Sequence, residues 1–153
     1  MSIMKTLYRA ILLEQKFSES YSLMSQMASD PTLVEVMKKL SEEETYHANL
    51  IRSCNKILAI SPDFVKETKI SYLEIDVGIA KLNNLTESLK SNIVSLKDAI
   101  KRMYDLEMVF EKVHIDKVAE FEEPSLKELF SALANGDNKH RERLEQIMSA
   151  SRS

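Results

Sequence analysis

A chain of 153 residues is one domain's worth, long enough to bury a core without disulfide or metal staples. Two glycines and three prolines are too few breakers for a fold of many short strands and tight turns. With 29% charged and 44% hydrophobic residues, a net charge of −3 and a pI near 5.7, the chain is neither disordered nor basic, which excludes nucleic acid as the favoured partner.

The first helical stripe runs Ile3, Leu7, Ala10, Ile11, Glu14, Phe17, Tyr21, Met24 and Ala28, at steps of three and four residues. Asp30-Pro31 then places a good N-cap before a proline at the first helical position. A second stripe follows through Leu33, Val36, Met37, Leu40, Glu44, His47, Leu50, Ile51, Cys54 and Leu58, and Ser61-Pro62 is expected to end it. The next stretch, 61–90, is less regular; Tyr72–Leu85 reads as a short helix weakened by polarity and Gly78. Periodicity resumes near Ile93 and continues through Leu96, Ile100, Met103, Leu106, Glu107, Phe110, His114, Val118 and Phe121 to the break at Glu123-Pro124. The last stripe is Leu126, Leu129, Phe130, Leu133, Asp137, His140, Leu144, Ile147 and Met148. Asn135-Gly136-Asp137-Asn138 inside it has the composition of a turn, but the spacing past Leu133 predicts that the helix runs on.

The halves repeat with an offset of 93 residues. Leu13, Glu14, Phe17, Pro31, Leu33, Glu35, Leu40 and His47 return as Leu106, Glu107, Phe110, Pro124, Leu126, Glu128, Leu133 and His140, and Glu44 returns as Asp137. Glu44-Thr-Tyr-His47 and Asp137-Asn-Lys-His140 each put an acid and a histidine three apart, on one side of a helix. The midpoint between 14 and 44 falls at residue 29, in the first turn, and that between 107 and 137 at residue 122, beside the second. In an antiparallel hairpin, residues equidistant from the turn lie side by side, so Glu14 sits level with Glu44 and Glu107 with Asp137, roughly 20 Å from each turn at about 1.5 Å per residue. A two-fold packing of the hairpins would bring all six groups to one level. Six ionisable groups on buried stripes are costly unless something binds them. Four carboxylates and two imidazoles suit iron or manganese better than thiolate-loving metals.

This pattern resembles the ferritin-like di-metal carboxylate proteins, in which two helices give one glutamate each and two others give Glu-x-x-His. With thirty residues from acid to acid in each half, it is most similar to rubrerythrin, over about 1–58 and 93–148. The resemblance implies an all-α, ferritin-like antiparallel four-helix bundle, a single domain over 1–153 whose two helical hairpins are joined by a long crossover at about 59–92. It implies Glu14, Glu44, His47, Glu107, Asp137 and His140 as ligands of two iron ions, with manganese or zinc as alternatives, and Glu44 and Asp137 as bridges. It further implies an oxidoreductase acting on peroxide or dioxygen, and a homodimer. The chain departs from rubrerythrin in three ways. Tyr104 stands where an extra glutamate is common, Asp137 replaces glutamate, and Cys54 is the single cysteine, so no cysteine pair can hold rubredoxin iron. Electrons are therefore expected from a separate donor protein. A metal-binding protein without turnover, and a helical interaction module with a decayed site, are the alternatives.

Tyr21 and His114 occupy matching positions, seven residues after Glu14 and Glu107. They are readable either as partners that orient a ligand carboxylate or as a core aromatic and a rim histidine. Tyr46 and Tyr104 read as packing residues, and the methionines and Cys54 as core filler. MSIMKTLYRAILLEQ lacks an apolar run long enough for a signal peptide, and no run of 18 apolar residues occurs. The expected location is a reducing cytoplasm, away from membranes.

Overall fold

The computed structural model describes residues 3–60, 73–121 and 123–150. Among them the chain is all-helical, with α1 (Ile3–Met27), α2 (Pro31–Ile60), α3 (Leu73–Lys90), α4 (Leu96–Glu120) and α5 (Pro124–Ala150), and no strand. This is consistent with the ferritin-like class. Two compact units divide it, Met1–Thr86 and Glu87–Ser153.

In the first unit α1 and α2 form an antiparallel hairpin. Asp30 caps α2, its Oδ1 accepting from the Thr32 amide at 2.9 Å. Pro31 occupies the first helical position, where a missing N–H costs nothing. Reciprocal hydroxyl bonds then hold the helices together: Ser18 Oγ donates to the Ser41 carbonyl and Ser41 Oγ to the Ser18 carbonyl, both at 2.9 Å. Nearer the turn Ser25 Oγ donates to the Val34 carbonyl at 2.8 Å. Such bonds need small side chains between close backbones, and their register sets Glu14 beside Glu44. The buried faces carry Leu7, Leu13, Phe17, Tyr21 and Met24 from α1, and Met37, Leu40 and Ile51 from α2.

The second unit repeats this plan in α4 and α5. Ser95 caps α4 by accepting from the Asp98 amide, and Glu123 Oε2 accepts from the Leu126 amide at 2.9 Å ahead of α5. Helix α5 runs unbroken through Asn135-Gly136. The turn-like composition there is overridden because Leu133, Asp137, His140 and Leu144 all lie on its buried face.

The connection is more helical than four helices require. Helix α3 has 18 residues and reaches Lys90, beyond the short helix expected at Tyr72–Leu85. Its buried positions, Ile75, Gly78, Leu82, Leu85 and Leu89, step by three and four along one face, so Gly78 weakens the helix without ending it. At its end Asn92 takes φ 57°, a left-handed turn that asparagine tolerates. The Asn92 and Ile93 amides close the helix on Leu89 and Ser88. Ile93 therefore lies outside α4 and is 78% exposed, and the buried stripe starts at Val94. Ser61-Pro62, Tyr72 and the stretch 61–72 of the crossover lie outside the described residues. Among the described residues no helix is long and apolar enough to cross a membrane.

Candidate metal centre

In the first hairpin the helical period carries Glu14 onto the same buried face as Leu7, Tyr21 and Met24. Of the consecutive glutamates on α2, Glu42 is exposed, Glu43 half-buried and Glu44 fully buried. The 93-residue repeat marks the same one, since Glu44 is the counterpart of Asp137. His47 Nδ1 stands 3.5 Å from Glu44 Oε2. Glu14, Glu44 and His47 each offer one ligand atom, and these atoms all lie within 4.8 Å of one another.

In the second hairpin Glu107, Asp137 and His140 are all buried. His140 Nδ1 lies 3.3 Å from Glu107 Oε1. Asp137 has a different partner: His114 Nδ1 donates to Asp137 Oδ2 at 2.5 Å. The His114 ring packs by Phe110 and Phe130, at centroid distances of 6.1 and 5.8 Å. His114 is therefore an interior residue in contact with a candidate ligand, not a rim histidine. One turn beyond Glu107, Glu111 accepts from Asn138 Nδ2 at 3.0 Å and from Arg141 Nε at 3.1 Å, tying α4 to α5 on either side of His140. Hydrogen bonds to Glu111 and then to Tyr104 raise the Arg141 guanidinium pKa above its ordinary value.

These donors fit a first-row divalent ion. Two ligands at right angles on an octahedral ion, with bonds of roughly 2.1 Å, stand about 3.0 Å apart. The His140–Glu107 and His47–Glu44 separations of 3.3 and 3.5 Å are within small side-chain adjustments of that spacing. Mixed carboxylate oxygen and imidazole nitrogen is the donor chemistry of iron and manganese, with zinc also accommodated.

The model of the rubrerythrin family matches residues 5–148, a span that takes in both hairpins and their acid-and-histidine sets. The chain belongs to the rubrerythrin family. Rubrerythrins are di-metal carboxylate proteins, typically of iron, and this chain has carboxylate and histidine groups able to bind metal. No curated protein and no solved structure matches it.

Some features of this rubrerythrin were not legible in its sequence. Glu35 and Glu128 repeat as faithfully as Glu14 and Glu107, yet both are exposed, so the repeat over-selects and burial discriminates. Tyr46, read as packing, is 61% exposed. Tyr21 is fully buried and stacks on Phe17. Tyr104 is half-buried, with Lys101 Nζ 5.1 Å from its ring centre. The Ser18–Ser41 bonds that set the first register were missed, although small residues at 18 and 41, nearly equidistant from the turn, were their signal.

Proposed function

We propose that this chain is a di-iron rubrerythrin-type oxidoreductase that acts on peroxide or dioxygen, with electrons delivered by a separate donor protein. Each hairpin carries one acid–acid–histidine set, Glu14, Glu44 and His47 or Glu107, Asp137 and His140, of the residue types that the family's di-metal centre uses. The observation that carries this reading is the burial of every member of both sets, together with the convergence of Glu14, Glu44 and His47 ligand atoms within 4.8 Å.

When bound, two ferrous ions would supply the two electrons that cleavage of a peroxide O–O bond requires. The chain's own part is to hold that group and shape its surroundings. Carboxylates offset the ions' positive charge in an interior where charge is otherwise expensive. The apolar stripes around them, Leu7, Leu13 and Phe17 in one hairpin and Leu106, Phe110 and Phe130 in the other, keep bulk water from the ligands. Glu111 and Arg141 fix the relative position of α4 and α5 beside Glu107 and His140.

The test is anaerobic mixing of the ferrous-loaded full chain with hydrogen peroxide. Each peroxide should take up two electrons and two protons, give two waters, and oxidise two irons within the mixing time or shortly after. Oxidation no faster than that of free ferrous iron at the same pH would remove the catalytic reading. Metal sequestration without turnover is the second reading. It is favoured by Tyr104, which stands where rubrerythrins commonly carry a further glutamate and hydrogen-bonds Arg141.

A further inference from the structure

At the end of the first hairpin away from its turn, a groove of about 430 Å³ lies between α1 and α2. That is within the roughly 300–1,000 Å³ of clefts that take small ligands. Its lining is largely apolar: Ile11 is buried, Leu12 half-buried, and the Tyr8 ring stands 57% exposed beside them. From α2 come Arg52, Asn55 and Lys56. The chain over 3–13 and 45–56 carries Lys5, Arg9, Arg52 and Lys56 and no exposed acid, since it has neither aspartate nor glutamate, although the whole protein has a net charge of −3. Arg9 is answered by Asp76 of α3 at 3.5 Å, whereas Arg52 and Lys56 meet no acid among the described residues. Arg52 Nη1 donates to Asn49 Oδ1 at 2.7 Å, which steadies the guanidinium. Asn55 Oδ1 is buried without a partner among the described residues. The fold itself does not require this pattern. By the 93-residue offset, Tyr8, Leu12, Arg52 and Lys56 become Lys101, Asp105, Glu145 and Ser149, so the second hairpin has lost both the apolar surface and the cations.

We propose that this groove binds a small amphiphilic carboxylate, its apolar body along Tyr8, Ile11 and Leu12 and its charged head between Arg52 and Lys56. Charge complementarity selects an anion, because two cations flank the groove and no acid of either helix faces them. A planar carboxylate suits the guanidinium fork, which can donate to both of its oxygens at once. With Nη1 already turned to Asn49, the edge formed by Nε and Nη2 is the one that takes the carboxylate. The Asn55 amide gains as well: its Oδ1 has no bond to lose, so the group can turn and offer Nδ2 to the anion. Burying the apolar body against Ile11 and Leu12 removes hydrocarbon from water on both sides. The site uses none of the six metal-ligand candidates and does not depend on the metal reading.

The test is calorimetric titration of the full chain with decanoate, kept below the concentration at which it aggregates. Decyltrimethylammonium supplies the same tail with the opposite head, and acetate the head without the tail. Decanoate should saturate a single site, with both controls weaker by about tenfold or more. The doubly substituted Arg52→Gln/Lys56→Gln chain should lose at least about tenfold in affinity, the worth of one charge-assisted hydrogen bond. Leu12→Asn should weaken binding through the apolar body instead. The Tyr8 ring resonances should shift with decanoate, which places the ligand in this groove. Uptake that does not saturate, equal affinity for the cationic probe, or affinity unmoved by the double substitution would overturn the proposal. So would saturable binding that leaves the Tyr8 resonances in place. If Leu12→Asn fails to fold, the double substitution and the Tyr8 signal decide alone. Failure here leaves the metal reading untouched, and iron uptake should be the same in every variant.

Discussion

Replacing His47 or His140 with alanine is expected to remove one of the two bound irons in each case. Both imidazoles are buried, and each has a ring nitrogen 3.5 or 3.3 Å from a buried glutamate oxygen of its own hairpin. Alanine is the best helix former, so α2 and α5 should persist and circular dichroism should stay close to wild type. Removing a ligand outright should exceed the effect of losing an orienting partner, so a drop of more than about 100-fold in the affinity of the affected site is expected. Metal analysis of desalted protein, run beside the dichroism spectrum, checks this. Unchanged iron in His140→Ala would take the second hairpin out of the ligand set, and unchanged iron in His47→Ala the first.

The second large effect is on stability, and it has opposite signs with and without metal. Glu44 is 0% exposed, and a carboxylate in an interior position is costly to keep charged. Replacing both members of the buried Glu44–His47 pair with leucine removes the pair together and is expected to stabilise the metal-free protein by about 1–4 kcal/mol, the range found when buried ionic pairs give way to packed apolar residues. For a chain of this length each kcal/mol raises the melting temperature by roughly 2–4 °C. Iron should do the reverse. At 100 times its dissociation constant it would add about 2.7 kcal/mol to wild type by mass action, and much less to the leucine variant. Thermal melts of both proteins, with and without ferrous iron under argon, are the measurement. A variant that melts below metal-free wild type, and gains as much from iron, would mean that the pair has a structural role and not a ligand's.

Much of this was written in the residues. Asp30-Pro31 and Glu123-Pro124 mark the helix starts because their side-chain oxygens cap the first amides and their prolines need none. The ligand candidates were legible because a hairpin is a ruler: equal distances from a turn put 14 beside 44, and the serine bonds at 18 and 41 keep that register. Helix α3 was underestimated because its few apolar residues are diluted by polar ones, although Ile75, Leu82, Leu85 and Leu89 already carry the helical period. The His114–Asp137 bond was only half legible. His114 lies about two turns of α4 beyond Glu107, the residue level with Asp137, and whether an imidazole spans that offset depends on its rotamer, which packing against Phe110 and Phe130 decides.

The central claim, that two acid–acid–histidine sets exist to hold two metals, is tested most directly by metal stoichiometry. The full chain is purified without chelator, reduced, titrated with ferrous iron under argon, and followed by Mössbauer spectroscopy of iron-57. Two irons per chain in oxygen-and-nitrogen coordination are expected. Only trace iron at saturation, with manganese and zinc equally unbound, would contradict the account.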